Sequence, residues 1–256
     1  MSTNKESKLN YLLATQPVGT VLVSAWLTEH GYSLELQKRY RKSGWFESIG
    51  TGALIRRGDK VDVLGGLYAL QQQLGLSAHV AAKTALSLQA KSHYLEFSAK
   101  RLYLFGGKDE NLPLWFKKYN WGVDVEYKKT SFLPPELGLL EMNHKSFQVK
   151  ISSPTRAIME CLYLAPKNLP LLEILELLQG LNNLRPASVQ KLLEACSSVK
   201  VKRLFLYMAE RAGHEWLNYL NLDNVNLGVG KRSLVKDGVY ISKYQITVPK
   251  ELESHP

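Results

Sequence analysis

The sequence predicts an α+β protein in which an N-terminal winged helix-turn-helix domain is followed by a larger mixed α+β domain. Three observations carry this expectation. Helical patterns near the N-terminus lead directly into two short strand patterns joined by a glycine-rich tip. A cationic run, Lys38, Arg39, Arg41 and Lys42, lies in the helical segment just before that hairpin. Beyond it, strand patterns give way to a series of leucine-rich helical patterns. The boundary is set at residue 95, within a compositional change over Lys91 to Ala99, so the expected domains are 1–95 and 96–256.

Leu9, Leu12 and Leu13 share a face of a first helix, Lys8 to Ala14, which Pro17 and Gly19 end. Val21 to Val23 is a short extended run. Ser24 is the expected cap of a second helix that turns Trp26 and Leu27 inward and stops at Gly31. After the short Gly31-Tyr32 turn, Ser33 caps a third helix, Leu34 to Lys42, halted by Ser43-Gly44. Trp45 to Ile49 and Ala53 to Arg57 read as strands around the tip Gly50-Thr51-Gly52. Helix, helix, short turn, helix, hairpin is the element order of a winged helix-turn-helix.

Gly65-Gly66 opens an expected fourth helix, Leu67 to Leu74, and a fifth runs from Ala81 to Ala90. Tyr94 to Phe97, Leu102 to Phe105, Val123 to Lys128 and Ser146 to Ile151 read as strands, with a short helix at Leu114 to Lys118. From Ser153-Pro154 onward the pattern is helical over Ala157 to Leu164, Leu171 to Leu178, Val189 to Glu194, Val201 to Arg211 and Glu215 to Tyr219. A strand-like segment closes the chain at Gly238 to Val248, and Met1 to Ser7 and Glu251 to Pro256 read as loose polar tails.

Hydrophobic residues make up 45% of the 256 positions and charged ones 22%, which favours a packed core over disorder. The formal net charge of +10 points to a polyanionic partner, of which nucleic acid is the commonest. Cys161 and Cys196 lack metal-ligand spacing and read as buried free thiols of a reducing compartment. Neither a signal-peptide pattern nor a run of about 18 apolar residues is present. The expected location is therefore cytoplasmic, without membrane association.

The third helix is the most informative segment. Leu36 and Tyr40 share a face and can fix the helix to the domain, which leaves Gln37, Lys38, Arg41 and Lys42 expected on the outer surface. A recognition helix needs this division, because long cationic or amide side chains reach base edges and phosphates in a major groove. The hairpin adds Thr51 at its tip and Arg56 and Arg57 on its return strand. Neighbours on a strand face opposite ways, so only one of those two arginines can face a duplex.

Motifs for catalysis fail on their spacing. Gly228-Val229-Gly230-Lys231-Arg232-Ser233 has Val225 where a phosphate-binding loop needs its first glycine, and Arg232 where it needs Ser or Thr. The six histidines are scattered, and Glu173 and Glu176 sit on the solvated side of an amphipathic pattern. No catalytic residue, metal ligand or cofactor is expected. Two further basic stretches, Lys200, Lys202 and Arg203, and Lys231, Arg232, Lys236 and Lys243, could meet a nucleic-acid backbone or an acidic partner.

Tyr40-Arg41-Lys42-Ser43-Gly44-Trp45, Ile49-Gly50-Thr51-Gly52-Ala53, Gly65-Gly66-Leu67-Tyr68-Ala69-Leu70-Gln71, Gln73-Leu74-Gly75-Leu76 and Lys83-Thr84-Ala85-Leu86 follow one another in this order. Ser153-Pro154-Thr155-Arg156-Ala157-Ile158, Leu227 to Arg232 and Tyr244 to Pro249 continue the set. In this arrangement the chain resembles the AbiEi-family antitoxins over nearly its whole length. It departs from them at Ser77 to Ala82, where relatives carry Pro-Gly-Gly before the Lys-Thr pair, a difference expected to alter how the fifth helix begins.

The resemblance implies a transcriptional repressor and antitoxin of a bacterial type IV toxin–antitoxin pair linked to abortive phage infection. It implies that the winged helix binds double-stranded DNA at inverted repeats of the operon's own promoter, cooperatively and with both domains contributing. It implies antagonism of a nucleotidyltransferase-like toxin without a stable complex. Lys231 and Arg232 are then the C-terminal candidates for antitoxin function, and Gln37, Lys38, Arg41, Lys42, Thr51, Arg56 and Arg57 those for DNA. The rival readings are a protein-interaction module docking an acidic partner, and a nucleic-acid-processing enzyme targeted by a winged helix.

Overall fold

The structure is a computed structural model that describes residues 8–90 and 101–254. Its first elements are α1 (Lys8–Thr15), β1 (Leu22–Val23), α2 (Ser24–Glu29), α3 (Leu34–Lys42), β2 (Phe46–Gly50) and β3 (Ala53–Arg56). Next come α4 (Val63–Tyr68), a π-helical turn at Ala69–Gln73, β4 (His79–Val80), α5 (Ala82–Ala90) and β5 (Arg101–Gly106). They are followed by α6 (Leu114–Lys118), β6 (Asp124–Lys129), β7 (Leu139–His144) and β8 (Phe147–Ser152). The helices α7 (Pro154–Leu164), α8 (Leu171–Gln179), α9 (Pro186–Ala195) and α10 (Val199–Arg211) come next, then 3-10 turns at Glu215–Tyr219 and Leu222–Asn224. The chain ends through β9 (Arg232–Ser233), β10 (Val239–Ile241), β11 (Ile246–Val248) and α11 (Lys250–Ser254). The strands form three sheets, ordered β1-β3-β2, β6-β5-β4-β8-β7 and β10-β11-β9.

The described residues fall into two compact units. One draws on Met1–His79, Asp109–Val125 and Glu141–Lys150, the other on Val80–Lys108, Glu126–Leu140 and Ile151–Pro256. The expected strand at Tyr94 to Phe97 and the change-over at residue 95 lie outside the described residues, as does the expected tail Met1 to Ser7.

In the first unit α1, α2 and α3 enclose Leu12, Leu27 and Tyr32 against Leu22, Phe46 and Leu54 of a small sheet. Strand β3 pairs antiparallel with β1 and β2, and the β2 register breaks between Ser48 and Gly50, where the hairpin turns. Three helices and a hairpin in this order make a winged helix-turn-helix, as expected. Gln73 completes the module: its Oε1 accepts from the Val23 N–H at 2.7 Å and its Nε2 donates to the Val21 carbonyl at 2.9 Å. One amide side chain thus satisfies the backbone at β1.

Two local expectations are corrected here. Ser24 is the first residue of α2 rather than its cap, and its hydroxyl donates instead to Gln37 Oε1 at 2.6 Å. Gly65-Gly66 lies inside α4, which Asp62 caps by accepting from the N–H groups of Leu64 and Gly65. The glycines are there for packing. A Cβ on Gly65 would stand 2.0 Å from the Gly19 carbonyl oxygen, and one on Gly66 would stand 2.6 Å from the Trp121 ring.

In the second unit α7 is buried along almost its whole length, and α5, α8, α9 and α10 surround it around one core. Burial extends to two charged residues of this helix, Arg156 and Glu160. The C-terminal segment expected as one strand is two, β10 and β11, with β9 added in parallel. Glu251 to Ser254, read as part of a loose tail, belongs to α11, whose Leu252 is buried and whose Glu253 accepts from the Tyr207 hydroxyl at 2.5 Å. Cys161 and Cys196 are buried and unbridged, and burial pushes both thiols upward in pKa, which leaves them protonated.

Candidate nucleic-acid interface

Ser33 opens α3 by accepting from the Leu36 N–H at 3.3 Å, which sets the rotation of the helix. Leu36 and Tyr40 pack on the core of the first unit, and the Tyr40 ring lies 5.9 Å from that of Phe46. Lys38, Arg39, Arg41 and Lys42 are therefore turned to solvent. Among the described residues none of these four cations has an acidic partner. Arg39, part of the cationic run but not among the expected DNA contacts, lies in the same exposed arc.

Gln37 does not face outward. It is 4% exposed, and its Nε2 donates to the carbonyls of Tyr32 (2.7 Å) and Ser24 (3.1 Å) and to Thr28 Oγ1 (3.1 Å). The inward stripe of α3 is thus Leu36, Gln37 and Tyr40. The amide is buried because two hydroxyls four residues apart on α2, Ser24 and Thr28, offer it partners.

A cleft of about 640 Å³ runs between α3 and the hairpin, lined by Lys38 and Arg41 on one side and by Ser48 and Thr51 on the other. The hairpin tip is anchored by the Gly52 carbonyl, which accepts from the Ser24 N–H at 2.9 Å. Lys38, Arg41 and Thr51 are therefore brought together, with one acid, Glu35, on the rim. Lys42 lies outside the cleft lining. Of the two hairpin arginines, Arg56 turns inward and donates to the Gln16 carbonyl, and burial lowers its pKa. Arg57 stays exposed and pairs with Glu47 at 3.2 Å.

The C-terminal cations divide in the same way. Lys202 and Arg203 are buried, and Lys200 donates to the carbonyls of Tyr163 and Ala165, so this stretch is not the exposed basic segment its sequence suggests. Arg203 donates to the carbonyls of Leu227 (2.8 Å), Gly228 (3.0 Å), Gly230 (2.7 Å) and Gln245 (3.1 Å). The loop around Gly228 thus aims carbonyls at a cation, the reverse of the N–H cradle that a phosphate requires. It holds Lys231 and Arg232 outward, with Lys231 Nζ 5.0 Å from the Tyr240 ring. Lys243 pairs with Glu210 at 2.5 Å.

Among the described residues no group of three His, Cys, Asp or Glu side chains could hold a metal ion, and no helix is long and apolar enough to cross a membrane.

Two family models match the chain. One describes the N-terminal domain of the AbiEi antitoxin transcriptional regulators and matches residues 5–97; the other describes the AbiEi antitoxin, a transcriptional regulator of type IV toxin–antitoxin systems, and matches residues 99–249. No curated protein matches in sequence. The crystal structure of the RV2827C protein from Mycobacterium tuberculosis is similar in fold, with a TM-score of 0.57 at 15% identity over 93% of this chain and 88% of that one.

Proposed function

Because the chain belongs to the AbiEi antitoxins, the transcriptional regulators of type IV toxin–antitoxin systems, we propose that it represses its own operon by binding double-stranded DNA at promoter inverted repeats. In this reading residues 1–95 form the DNA-binding domain and 96–256 the antitoxin domain. The latter antagonises a nucleotidyltransferase-like toxin in the cytoplasm without a stable complex, with Lys231 and Arg232 as its exposed candidates. The chain acts by binding, without cofactor or catalytic step.

One observation carries the reading: unpaired Lys38 and Arg41 share a cleft with Thr51 at the tip of the hairpin, beside the equally exposed Lys42. Cations held on a helix next to a hairpin match a major groove and its flanking phosphates. Of the two wing arginines, Arg57 is the one free to swing toward a phosphate, at the cost of an exposed ion pair worth about 1 kcal/mol or less.

The test is a gel shift on the upstream inverted repeats across a salt series. Arg41→Ala with Lys42→Ala should abolish the shift while the melting temperature holds. Singly, each phosphate-facing cation should lower the salt slope by about one when replaced. Unchanged affinity in the double variant would remove the helix from the interface.

A further inference from the structure

A second cavity lies in the second unit. It measures about 480 Å³ and is walled by apolar groups, chiefly Leu139, Pro154, Leu184 and Leu192. That volume is in the range of small-molecule sites, about 300–1,000 Å³. Its polar features all favour an anion. Arg185 and Lys191 are the charged residues of the lining, which contains no acid. Neither has an acidic partner among the described residues.

The interior supplies a second, independent sign. Thr155 is 3% exposed, lines the cavity, and has no side-chain hydrogen-bond partner among the described residues. Ser188 adds another hydroxyl to the lining. Ser153, Pro154 and Thr155 place the first turn of α7, a helix of 11 residues, at the space, so the positive end of that helix dipole borders it, while α9 flanks it with Ser188, Lys191 and Leu192. The Ser153 N–H donates to the Gly138 carbonyl at 2.8 Å, tying two segments of the wall together.

We propose that this cavity is a binding site for a small amphipathic anion, an apolar body carrying one carboxylate or phosphate. The leucine walls hold the body. Thr155 and Ser188 donate to the head group, and Arg185 and Lys191 neutralise it at the mouth. Occupancy would raise the melting temperature, since a ligand bound to the folded chain alone shifts unfolding by mass action.

The probe is 8-anilinonaphthalene-1-sulfonate titrated by fluorescence into the full chain, beside its uncharged analogue N-phenyl-1-naphthylamine. One saturable site for the anion is expected, with affinity at least tenfold above that of the neutral probe. Arg185→Glu with Lys191→Glu should remove that preference, and Ser188→Trp, which fills the space, should remove binding of both. All three positions are exposed, so melting curves should match the parent. Displacement by octanoate would identify a carboxylate ligand and displacement by octyl phosphate a phosphate. Displacement by neither, equal affinity for the two probes, or indifference to the charge reversal would overturn the proposal. A competing acidic peptide that displaced the dye when the two small anions did not would assign the groove to a protein partner and overturn it equally.

Discussion

The Gln37 amide nitrogen lies 2.7 Å from the carbonyl oxygen of Tyr32, the residue that makes the turn between α2 and α3. With its bonds to Ser24 and Thr28, this one side chain fixes the angle between the two helices. Gln37→Ala leaves the Tyr32 and Ser24 carbonyls and two hydroxyls with fewer partners, and should cost about 1–3 kcal/mol of stability. Thermal melting should register it, and DNA affinity should fall only as far as the folded fraction falls. Arg41→Ala should do the reverse, lowering affinity and sparing the melt. A Gln37→Ala protein that melts normally yet fails to bind would restore the amide to the DNA surface.

This contrast marks where the sequence stopped being legible. Leu36 and Tyr40 at helical spacing, Ser33 as a cap and the glycine tip located α3 and the hairpin to within a residue. Polarity misplaced Gln37, because a buried amide is recognised only once Ser24 and Thr28 are known to face it. Arg56 and Arg203 were misplaced for the same reason. Both donate to backbone carbonyls that are remote in sequence, 40 residues away for Arg56 and at least 24 for Arg203. Strand β7, Leu139–His144, escaped because its alternation is broken by two adjacent leucines and Glu141 is followed by Met142.

Asp62 connects a helix cap to a pH dependence. Burial pushes its carboxyl upward, but bonds from His144 and Lys145 at 2.8 and 2.7 Å, with the Gly65 N–H, outweigh this and hold the pKa well below the usual range. A depressed folded pKa means stability that is fully present above the unfolded value, about 4, and fades as pH falls below it. Asp62→Asn keeps a capping oxygen and loses the charge. Its melting temperature should lie below the parent's from pH 7 to pH 5, and the gap should begin to narrow below about pH 4 and go on shrinking as the pH is taken lower. A gap of constant size would show that the carboxylate charge contributes nothing.

Ala82 begins α5 with φ of +49°, a conformation that costs an L-residue about 1–2 kcal/mol. It stands immediately before Lys83-Thr84, so the segment in which the sequence was expected to begin the fifth helix differently contains a strained position. The strain is held by neighbours: the Ala82 N–H donates to Glu160 Oε2 at 3.0 Å in a fully buried site. Ala82→Gly should relieve it, offset in part by the greater freedom of glycine in the unfolded chain. A net gain of about 0.5–1 kcal/mol in unfolding free energy, read from denaturant melts, is expected. A loss would mean that the methyl group's packing outweighs the backbone strain.

Glu160 also closes the polar network at the start of α7. Its Oε1 accepts from Arg156 Nε at 2.8 Å, and its Oε2 from the Ser152 hydroxyl at 2.6 Å. Arg156 Nη1 donates to the carbonyls of Pro134, Pro135 and Leu137, binding the preceding loop to the helix. Both side chains are 5% exposed or less, so each charge depends on the other. Removing one partner of such a pair costs about 3–5 kcal/mol, whereas replacing both with apolar groups of similar size is often far milder. Arg156→Met and Glu160→Met should each be severely destabilising, and the double variant should be more stable than either single one. The cycle is read from denaturant melts, with coupling expected at about 1–3 kcal/mol. Additive losses would mean that Arg156 is held by its three carbonyls alone, and that the Ser-Pro-Thr-Arg segment needs its arginine as a loop clamp rather than as the counter-ion of Glu160.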